Sequence, residues 1–396
     1  MRIRKIKLEN FVYMYICFSL FLQLYLLSSI SSLFPTVNLL FGKIVLVLRI
    51  LVVVFCFWDA LYKPIHLSKF VVLMICFSVV LIQYITIQNW GMFDLIFIPL
   101  YLGDRIDYKK LFTMYFDITV VTVLLLSILS ILDLIPSYDV IRHGGGMRYA
   151  LGFGHPNQLG MILFNAVLAK FLSTEISYHG MFAIFLTVIF LVVIPNSITN
   201  ALGTFLIFGY LVIERLRGRK RKVGEKFIKS WFCFAIFGLL IIIWAVYYGV
   251  LNTAIGDFVK ALSGTFYTRF TLGQEALDRY GISLFGQTIE QVGFEQIRLG
   301  IANMQDYFTV DCLYYLFPIK YGAVPSLVFA ASYVLALYKS VVKGNMRLTY
   351  TLSLFLLLAV SGGVQEFCMY LMIAAFGESE KTENLDYAYG SAISNM

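Results

Sequence analysis

A chain of 396 residues with 60% hydrophobic and only 14% charged side chains is too apolar for a soluble domain of its size. Its mean hydropathy of +0.82 indicates that lipid surrounds most of the protein. The net charge of +8 is concentrated in short segments between apolar runs, which is typical of cytoplasmic loops and argues against nucleic-acid binding.

Twelve apolar runs follow one another along the chain, and most have the length that a helix needs to cross a bilayer. They predict an all-α polytopic membrane protein of about twelve transmembrane helices, with residues 1–396 forming one integral membrane domain. The first run is too long for a signal peptide and predicts a retained helix. The runs lie near 11–34, 39–58, 69–87, 91–103, 111–135, 156–175, 180–195, 197–214, 231–251, 320–338, 348–361 and 366–377.

Lys and Arg residues predict the orientation of these helices, because cytoplasmic loops are enriched in them. If the basic N-terminus is cytoplasmic, twelve crossings place every basic cluster on that same side, including the dense run at 215–222. Both chain termini are then cytoplasmic. The polar tail, residues 378–396, has little apolar surface to bury and is predicted to be disordered.

Two segments on the predicted outer face are longer than the other connections. The first covers 136–155, and the second, between helices 9 and 10, covers 252–310. The second carries several aromatic residues, which predict helices that lie on the membrane helices. Connections of this length in a compact protein are usually functional.

Basic residues on the outer face depart from the general bias and are candidates for binding an anion. The long outer loop also carries many acids, so an anion site there must be local. The planar fork of Arg suits phosphate oxygens, although pairing with loop acids or lipid headgroups remains an alternative. The outer candidates are Arg142, Arg148, Lys260, Arg269, Arg279 and Arg298.

The segment 148–160 is polar and rich in glycine in a chain that is otherwise mostly apolar. His155 is followed by Pro156 and Asn157, an order that predicts the start of a helix. The exposed amides of a helix start favour an anion, so His155 and Asn157 are candidates for a site. The alternative is a histidine satisfied by the backbone at a turn.

Lys43 and Arg49 lie within the second predicted membrane helix, and Glu366 lies beside two short predicted helices, where charge is costly. Lys43 can extend to the surface, whereas Arg49 lies near mid-span and needs a carboxylate or a substrate phosphate as its partner. Glu366 follows a glycine pair between two short runs, where a break would let its carboxylate reach a cavity. Structural and functional roles are both open for these residues.

Motifs that would indicate other chemistries are missing from the sequence. There is no G-x-S-x-G nucleophile, no Walker loop and no H-E-x-x-H. No Asp-x-Asp occurs, which argues against a metal-dependent membrane glycosyltransferase. The six Cys residues form no C-x-x-C pair, and we predict neither a disulfide framework nor a zinc site.

The chain resembles bacterial polysaccharide polymerases of the Wzy type and the related O-antigen ligases. Residues 148–157 look like the R-x-x-x-G-F-x-H-P-N pattern of capsule polymerases, and the long loop running to Val310–Gly322 looks like their V-D-N-x-Y-L…Y-G. Glu366 stands where the family often has a Glu. The chain departs from the family at 196–201, which lacks the usual Arg, at Cys312, where Asn is common, and in having no His in the long loop.

The resemblance implies a metal-independent, inverting glycosyltransferase that polymerises polyprenyl-diphosphate-linked oligosaccharide repeat units at the outer face of the bacterial cytoplasmic membrane. It implies no cofactor, and it implies a flippase and a chain-length regulator as partners.

The resemblance also assigns roles to residues. It assigns the leaving diphosphate to Arg148, Arg269 and Arg279, and the orientation of sugar or phosphate to Asn157. The general base is expected to be His155, with Glu366 or Asp311 as alternatives. Arg49 and Arg142 are further candidates for substrate binding. A lipid-linked oligosaccharide flippase and an O-antigen-ligase-type transferase remain alternative functions.

Overall fold

The computed structural model describes residues 8–62, 67–103, 106–141, 146–216, 264–293, 303–361 and 367–377, with scattered residues between 230 and 301. These parts of the chain are mostly helical. They also contain a two-stranded antiparallel hairpin, in which β1 (Val140–Ile141) pairs with β2 (Met147–Arg148). The all-α prediction therefore holds for the architecture, and the hairpin is an addition to it.

The helices of the N-terminal part lie between residues 8 and 216. They are α1 (Leu8–Leu26), α2 (Ile30–Leu33), α3 (Pro35–Tyr62), α4 (Leu67–Ile87), α5 (Ile98–Leu102), α6 (Tyr108–Ile131), α7 (Pro156–Ser173), α8 (Tyr178–Val193) and α9 (Ile198–Leu216). A π-helical turn at Phe93–Phe97 leads directly into α5.

The C-terminal half is described from residue 264 onward with short gaps. Its helices are α10 (Gly264–Tyr280), α11 (Leu313–Leu316), α12 (Ala323–Val342), α13 (Met346–Leu358) and α14 (Phe367–Gly377). A second π-helical turn, Phe317–Tyr321, joins α11 to the segment before α12. It contains Pro318, which has no backbone N–H to donate and so favours a locally altered hydrogen-bond pattern.

Within the described residues, four helices are long and apolar enough to cross a membrane: Thr36–Trp58, Phe70–Ile87, Tyr108–Ile131 and Ala323–Val342. Each coincides with one of the predicted apolar runs. Large apolar side chains on these helices are exposed, among them Val47, Ile75 and Val121, which is 65% exposed. Such continuous apolar surface is what lipid would cover. The structure therefore supports a membrane protein with several spanning helices.

The contacts divide the chain into two compact units. The first comprises Met1–Leu67 and Arg105–Arg221, and the second comprises Ser68–Asp104 and Lys222–Met396. In the first unit, α7 is buried over most of its length and packs against α6, α8 and α9. It is therefore the central helix of that unit, and its N-terminal end belongs to the segment 148–160.

The second unit has its own apolar core, to which α10 contributes. This helix packs against α11 and the adjoining turns, so the described part of the predicted long outer loop contains a helix that lies on the rest of its unit. The buried side chains of this core are Phe270, Ala276, Phe308, Val310, Cys312, Tyr315, Ile319 and Val360.

Two glycines of the second unit lock the loop after α10 to the start of α12. Gly286 and Gly322 both have positive φ, +104° and +91°. A Cβ on Gly322 would lie 2.3 Å from the backbone nitrogen of Gly286, and a Cβ on Gly286 would lie 2.6 Å from the carbonyl oxygen of Lys320. The Gln287 N–H donates to Lys320 O at 3.1 Å, and the Ala323 N–H donates to Ser283 O at 2.8 Å. We call this contact the glycine lock.

Candidate functional site

Helix α7 begins where the sequence predicts, at Pro156. His155 precedes it with extended backbone angles, φ −159° and ψ 145°, and its Nδ1 accepts a hydrogen bond from the Asn157 N–H at 3.1 Å. Its carbonyl accepts from the Gln158 N–H at 3.0 Å. His155 therefore caps the helix, as Asn or Ser commonly does, and Pro156 suits the first turn because its missing N–H is not needed there.

The segment leading into α7 is held by backbone hydrogen bonds to the turn between α1 and α2. The Ser29 N–H donates to Gly152 O at 2.9 Å, and the Gly154 N–H donates to Leu27 O at 2.8 Å. The Asp139 carboxylate accepts from the Ala150 N–H at 2.9 Å. The segment 148–160 is therefore a fixed part of the first unit, not a loose loop.

Arg148 is held by two acceptors from separate parts of the first unit. Its Nε donates to Pro195 O at 2.9 Å, and its Nη2 donates to Asn157 Oδ1. Asn157 Oδ1 also accepts from Ser197 Oγ at 3.4 Å, and Ser197 Oγ accepts from Asn200 Nδ2 at 2.8 Å. We call Arg148, Asn157, Ser197 and Asn200 the Arg148 cluster. Asn157 is exposed, so the cluster reaches the protein surface.

Sequence reasoning missed Ser197 and Asn200 as members of this site. In the sequence, the region 196–201 differs from the family that the chain resembles by lacking an Arg, and no site residue was predicted there. A signal was available, since a run of polar residues opens an otherwise apolar helix there. Nothing in the sequence alone indicated that this run contacts Arg148.

The hydrogen bond from Asn157 limits the chemistry of His155. Because Nδ1 accepts this bond, the neutral ring carries its proton on Nε2, which is buried. Burial and the neighbouring Arg148 charge lower the pKa of His155 to about 4. The imidazole therefore stays neutral near pH 7 and is a weak base. This geometry fits helix capping better than proton abstraction, and so favours the backbone-satisfied alternative.

The second unit contains a separate charged pair. Arg269 Nε lies 3.9 Å from Asp311 Oδ2, with the Arg side chain 12% exposed and the Asp side chain 46% exposed. Desolvation raises the pKa of Asp311, and Arg269 and a hydrogen bond from Thr309 oppose that rise. A carboxylate with a raised pKa that keeps a solvent-facing side is chemically suited to accept a proton.

Arg279 is the third cation that the resemblance assigns to the diphosphate, and its contacts are with residues of the same loop. It forms an ion pair with Glu275, one turn earlier in α10. Its guanidinium also lies over the Phe308 ring, 4.6 Å from the centroid. This arrangement corresponds to the alternative in which an outer Arg pairs with a loop acid.

The other predicted site residues fall into two groups. Of the two groups, the first is Arg49, which the structure describes: its Nε donates to Tyr15 Oη at 3.0 Å, between α3 and α1 of the first unit. The second group, Arg142, Arg298 and Glu366, lies outside the described residues. In the described part of the chain, no group of three or more His, Cys, Asp or Glu side chains could hold a metal ion.

One cation of the second unit was missed by sequence reasoning. Lys320 is half-buried on the π-helical turn Phe317–Tyr321, and burial lowers the pKa of its ammonium group. The available signal was its place at the start of an apolar run, on the outer side of the predicted topology.

Fold and clusters together define an α-helical protein with several helices suited to a membrane and a polar cluster at the start of a buried helix. No protein family model, characterised protein or solved structure matches the chain.

Proposed function

We propose that the protein is a polysaccharide polymerase that joins polyprenyl-diphosphate-linked oligosaccharide repeat units at the outer face of a bacterial cytoplasmic membrane. The observation that carries the proposal is the Arg148 cluster. Hydrogen bonds fix an arginine beside an exposed asparagine amide at the start of a helix. The apolar composition of the chain indicates that lipid surrounds the protein. Such a cluster suits a phosphate group at the end of a lipid chain.

The chemistry of polymerisation explains why a fixed arginine would matter. Bond formation at the reducing-end sugar of the donor releases polyprenyl diphosphate, so negative charge grows on the leaving phosphate. Donors that are already oriented stabilise this charge without reorganisation, and each can lower the barrier by about 3 kcal/mol. Arg148 meets this requirement because protein acceptors hold its Nε and Nη2.

The proposal includes the finer topology of twelve crossings, cytoplasmic termini and one large outer loop. In the part of the chain that the structure describes, four helices of suitable length and five shorter apolar helices support it in part. Substituted-cysteine labelling from the two sides of the membrane tests it. Residues 136–155 and 252–310 should react from the outside, and residues 215–222 from the inside.

Within the second unit, we propose that Asp311, beside Arg269, accepts a proton from a sugar hydroxyl. Replacing it with asparagine is expected to slow polymer formation about a hundredfold, the usual contribution of general-base catalysis. Asp306→Asn is the matched control, because Asp306 is an exposed acid of the same loop. Equal activity of the two variants would remove Asp311 from the mechanism.

The pH dependence of the reaction gives a second test of Asp311. Arg269 stabilises the carboxylate form, so removing its charge should raise the Asp311 pKa further. The base form is then lost at a higher pH, and the acidic limb of the rate profile of Arg269→Met should move upward relative to the wild type. Lys260→Met, which removes an exposed cation of the same unit, should leave the limb in place. An unmoved limb in Arg269→Met would count against the assignment.

Variants of His155 separate capping from catalysis. Asparagine is a good N-cap residue but a negligible base, so His155→Asn should keep polymer formation near the wild-type rate. His155→Ala removes the cap and should lower the stability by about 1 kcal/mol. Polymer length in cells and thermal melting in detergent measure the two effects. Loss of polymer in His155→Asn with normal melting would restore His155 as the base.

The proposed function is tested most directly with purified protein and one lipid-linked repeat unit. A ladder of longer lipid-linked products is the expected result. Transfer to a different acceptor without a ladder would favour the ligase alternative. Movement of the repeat unit across a vesicle membrane, without any new glycosidic bond, would favour the flippase alternative.

A further inference from the structure

Two residues that no motif pointed to complete the Arg148 cluster from the neighbouring helix. Ser197 lies immediately before α9 and is 4% exposed. Its backbone N–H donates to Leu191 O at 2.9 Å, and its carbonyl accepts from the Ala201 N–H at 2.9 Å. The Ser197 side chain therefore projects from a backbone that is itself fixed by two hydrogen bonds.

The direction of each hydrogen bond in the cluster follows from donor and acceptor chemistry. Asn200 Nδ2 can only donate, so Ser197 Oγ accepts from it and directs its own proton to Asn157 Oδ1. Arg148 Nη2 donates to that same oxygen. With Oδ1 occupied by two donors, the amide of Asn157 is oriented in one way, and its Nδ2H2 group is the part directed away from Arg148 and Ser197.

Helices α7 and α9 approach closely where these contacts form, because α7 has a glycine there. A Cβ on Gly160 would lie 2.6 Å from Cβ and Oγ of Ser197 and 3.2 Å from Nδ2 of Asn200. Only glycine leaves room for both side chains at this position of the buried helix. Asn200 is tied to its own helix as well, because its carbonyl accepts from Thr204 Oγ1 at 2.8 Å.

We propose that Ser197 and Asn200 are positioning residues, which fix the Asn157 amide so that Asn157 offers N–H donors, beside the Arg148 guanidinium, to a phosphate of the lipid-linked substrate. This inference rests on the proposed function for the identity of the substrate. The two side chains act through Asn157 and do not bind the substrate themselves. A lipid diphosphate is the ligand class because the two groups assigned to the substrate, the Asn157 amide N–H and the Arg148 guanidinium, are donors and one of them is cationic.

The test measures binding of undecaprenyl diphosphate in detergent micelles by the shift in melting temperature, alongside KM and kcat for polymer formation. Ser197→Ala should weaken binding and raise KM by about fivefold, the typical value of one intramolecular hydrogen bond. Asn200→Ala should act in the same direction. Ser353→Ala is the matched control, since Ser353 is also 4% exposed and donates one hydrogen bond, to Thr349 O at 2.8 Å, in the second unit.

A double-mutant cycle distinguishes positioning from a general packing effect. If Ser197 acts through Asn157, then Ser197→Ala should have no further effect on binding in an Asn157→Ala background. An equal effect in both backgrounds, or no effect in the wild-type background, would overturn the inference. The binding measurement needs no turnover, so a protein that binds the lipid without forming polymer refutes the proposed polymerase function and leaves the positioning roles standing.

Discussion

Arg148→Lys is expected to slow polymer formation about a hundredfold while leaving the thermal stability close to that of the wild type. Lysine keeps the positive charge, but a single ammonium group cannot reproduce the planar fork that donates to Pro195 O and to Asn157 Oδ1. The positive charge is then no longer held in one position, so it stabilises the negative charge on the leaving phosphate less well. The measurement is the initial rate of ladder formation by purified protein, with melting temperature recorded on the same samples.

Arg215→Lys is the matched control for this experiment. Arg215 belongs to the same unit, donates to the backbone carbonyl of Ile176 and lies over the Tyr178 ring, 4.9 Å from the centroid. It shares with Arg148 a guanidinium that bridges to a backbone carbonyl, but it has no part in the Arg148 cluster. Equal rates for the two variants would mean that the shape of the Arg148 side chain is not used by the reaction. A fall in melting temperature confined to Arg148→Lys would mean that its role is structural.

Gly322→Ala is expected to destabilise the second unit by roughly 3 kcal/mol. Two costs add at this position. The backbone has φ +91°, which an alanine adopts only with strain, and the new Cβ would lie 2.3 Å from the Gly286 nitrogen. Because the close atom belongs to backbone, no side-chain rotation relieves the clash. The glycine lock should open, with a lower melting temperature and easier proteolysis between α10 and α12.

Gly344→Ala separates the two costs. Gly344 also has positive φ, +68°, but a Cβ there meets nothing within 4 Å. It should therefore carry only the conformational cost of about 1–2 kcal/mol that an L-residue has in the left-handed region. If Gly322→Ala melts at the same temperature as Gly344→Ala, the loop between α10 and α12 can move apart without cost, and the glycine lock has no role in stability.

The parts of the fold that the sequence predicted are those with local signals. Apolar runs of sufficient length placed the helices Thr36–Trp58, Phe70–Ile87, Tyr108–Ile131 and Ala323–Val342, because hydrocarbon thickness sets a length that composition alone reveals. The order His-Pro-Asn predicted the start of α7 for a similarly local reason. A helix cap involves residues within one turn of one another, so it is visible in a short stretch of sequence.

The parts that the sequence did not predict depend on contacts between distant segments. The hairpin Val140–Arg148 has strands of two residues, too short for alternation to be recognised. The two π-helical turns, at Phe93–Phe97 and Phe317–Tyr321, have no periodic signal of their own. Arg148 donates a hydrogen bond to Pro195 O, and Ser197 donates one to Asn157 Oδ1. These bonds join the segment before α7 to the start of a helix further along the chain. No spacing rule reports such a contact.

For the candidate site, the sequence identified polar residues of interest, but it did not predict which of them contact one another or what each one does. Arg148 donates to Asn157 in the first unit, and Arg269 lies 3.9 Å from Asp311 in the second. The sequence predicted neither pairing, since it grouped Arg148, Arg269 and Arg279 at the diphosphate. The role of His155 depends on which ring nitrogen accepts a hydrogen bond, and that depends on the exact turn geometry before α7. The engagement of Arg279 with Glu275 could have been anticipated from their spacing of four residues on one helix.

The division of the chain into two units has a consequence for how the protein is made. The segment Ser68–Asp104 belongs to the second unit, although it lies between the two parts of the first. Its turn Phe93–Phe97 packs against α12, which the ribosome synthesises only after α6 to α10. Domains tend to assemble as their segments emerge. Residues 68–104 therefore lack this packing partner until α12 has been translated. A chain shortened before α12 should leave residues 68–104 more exposed to proteases, even though all of the first unit is present.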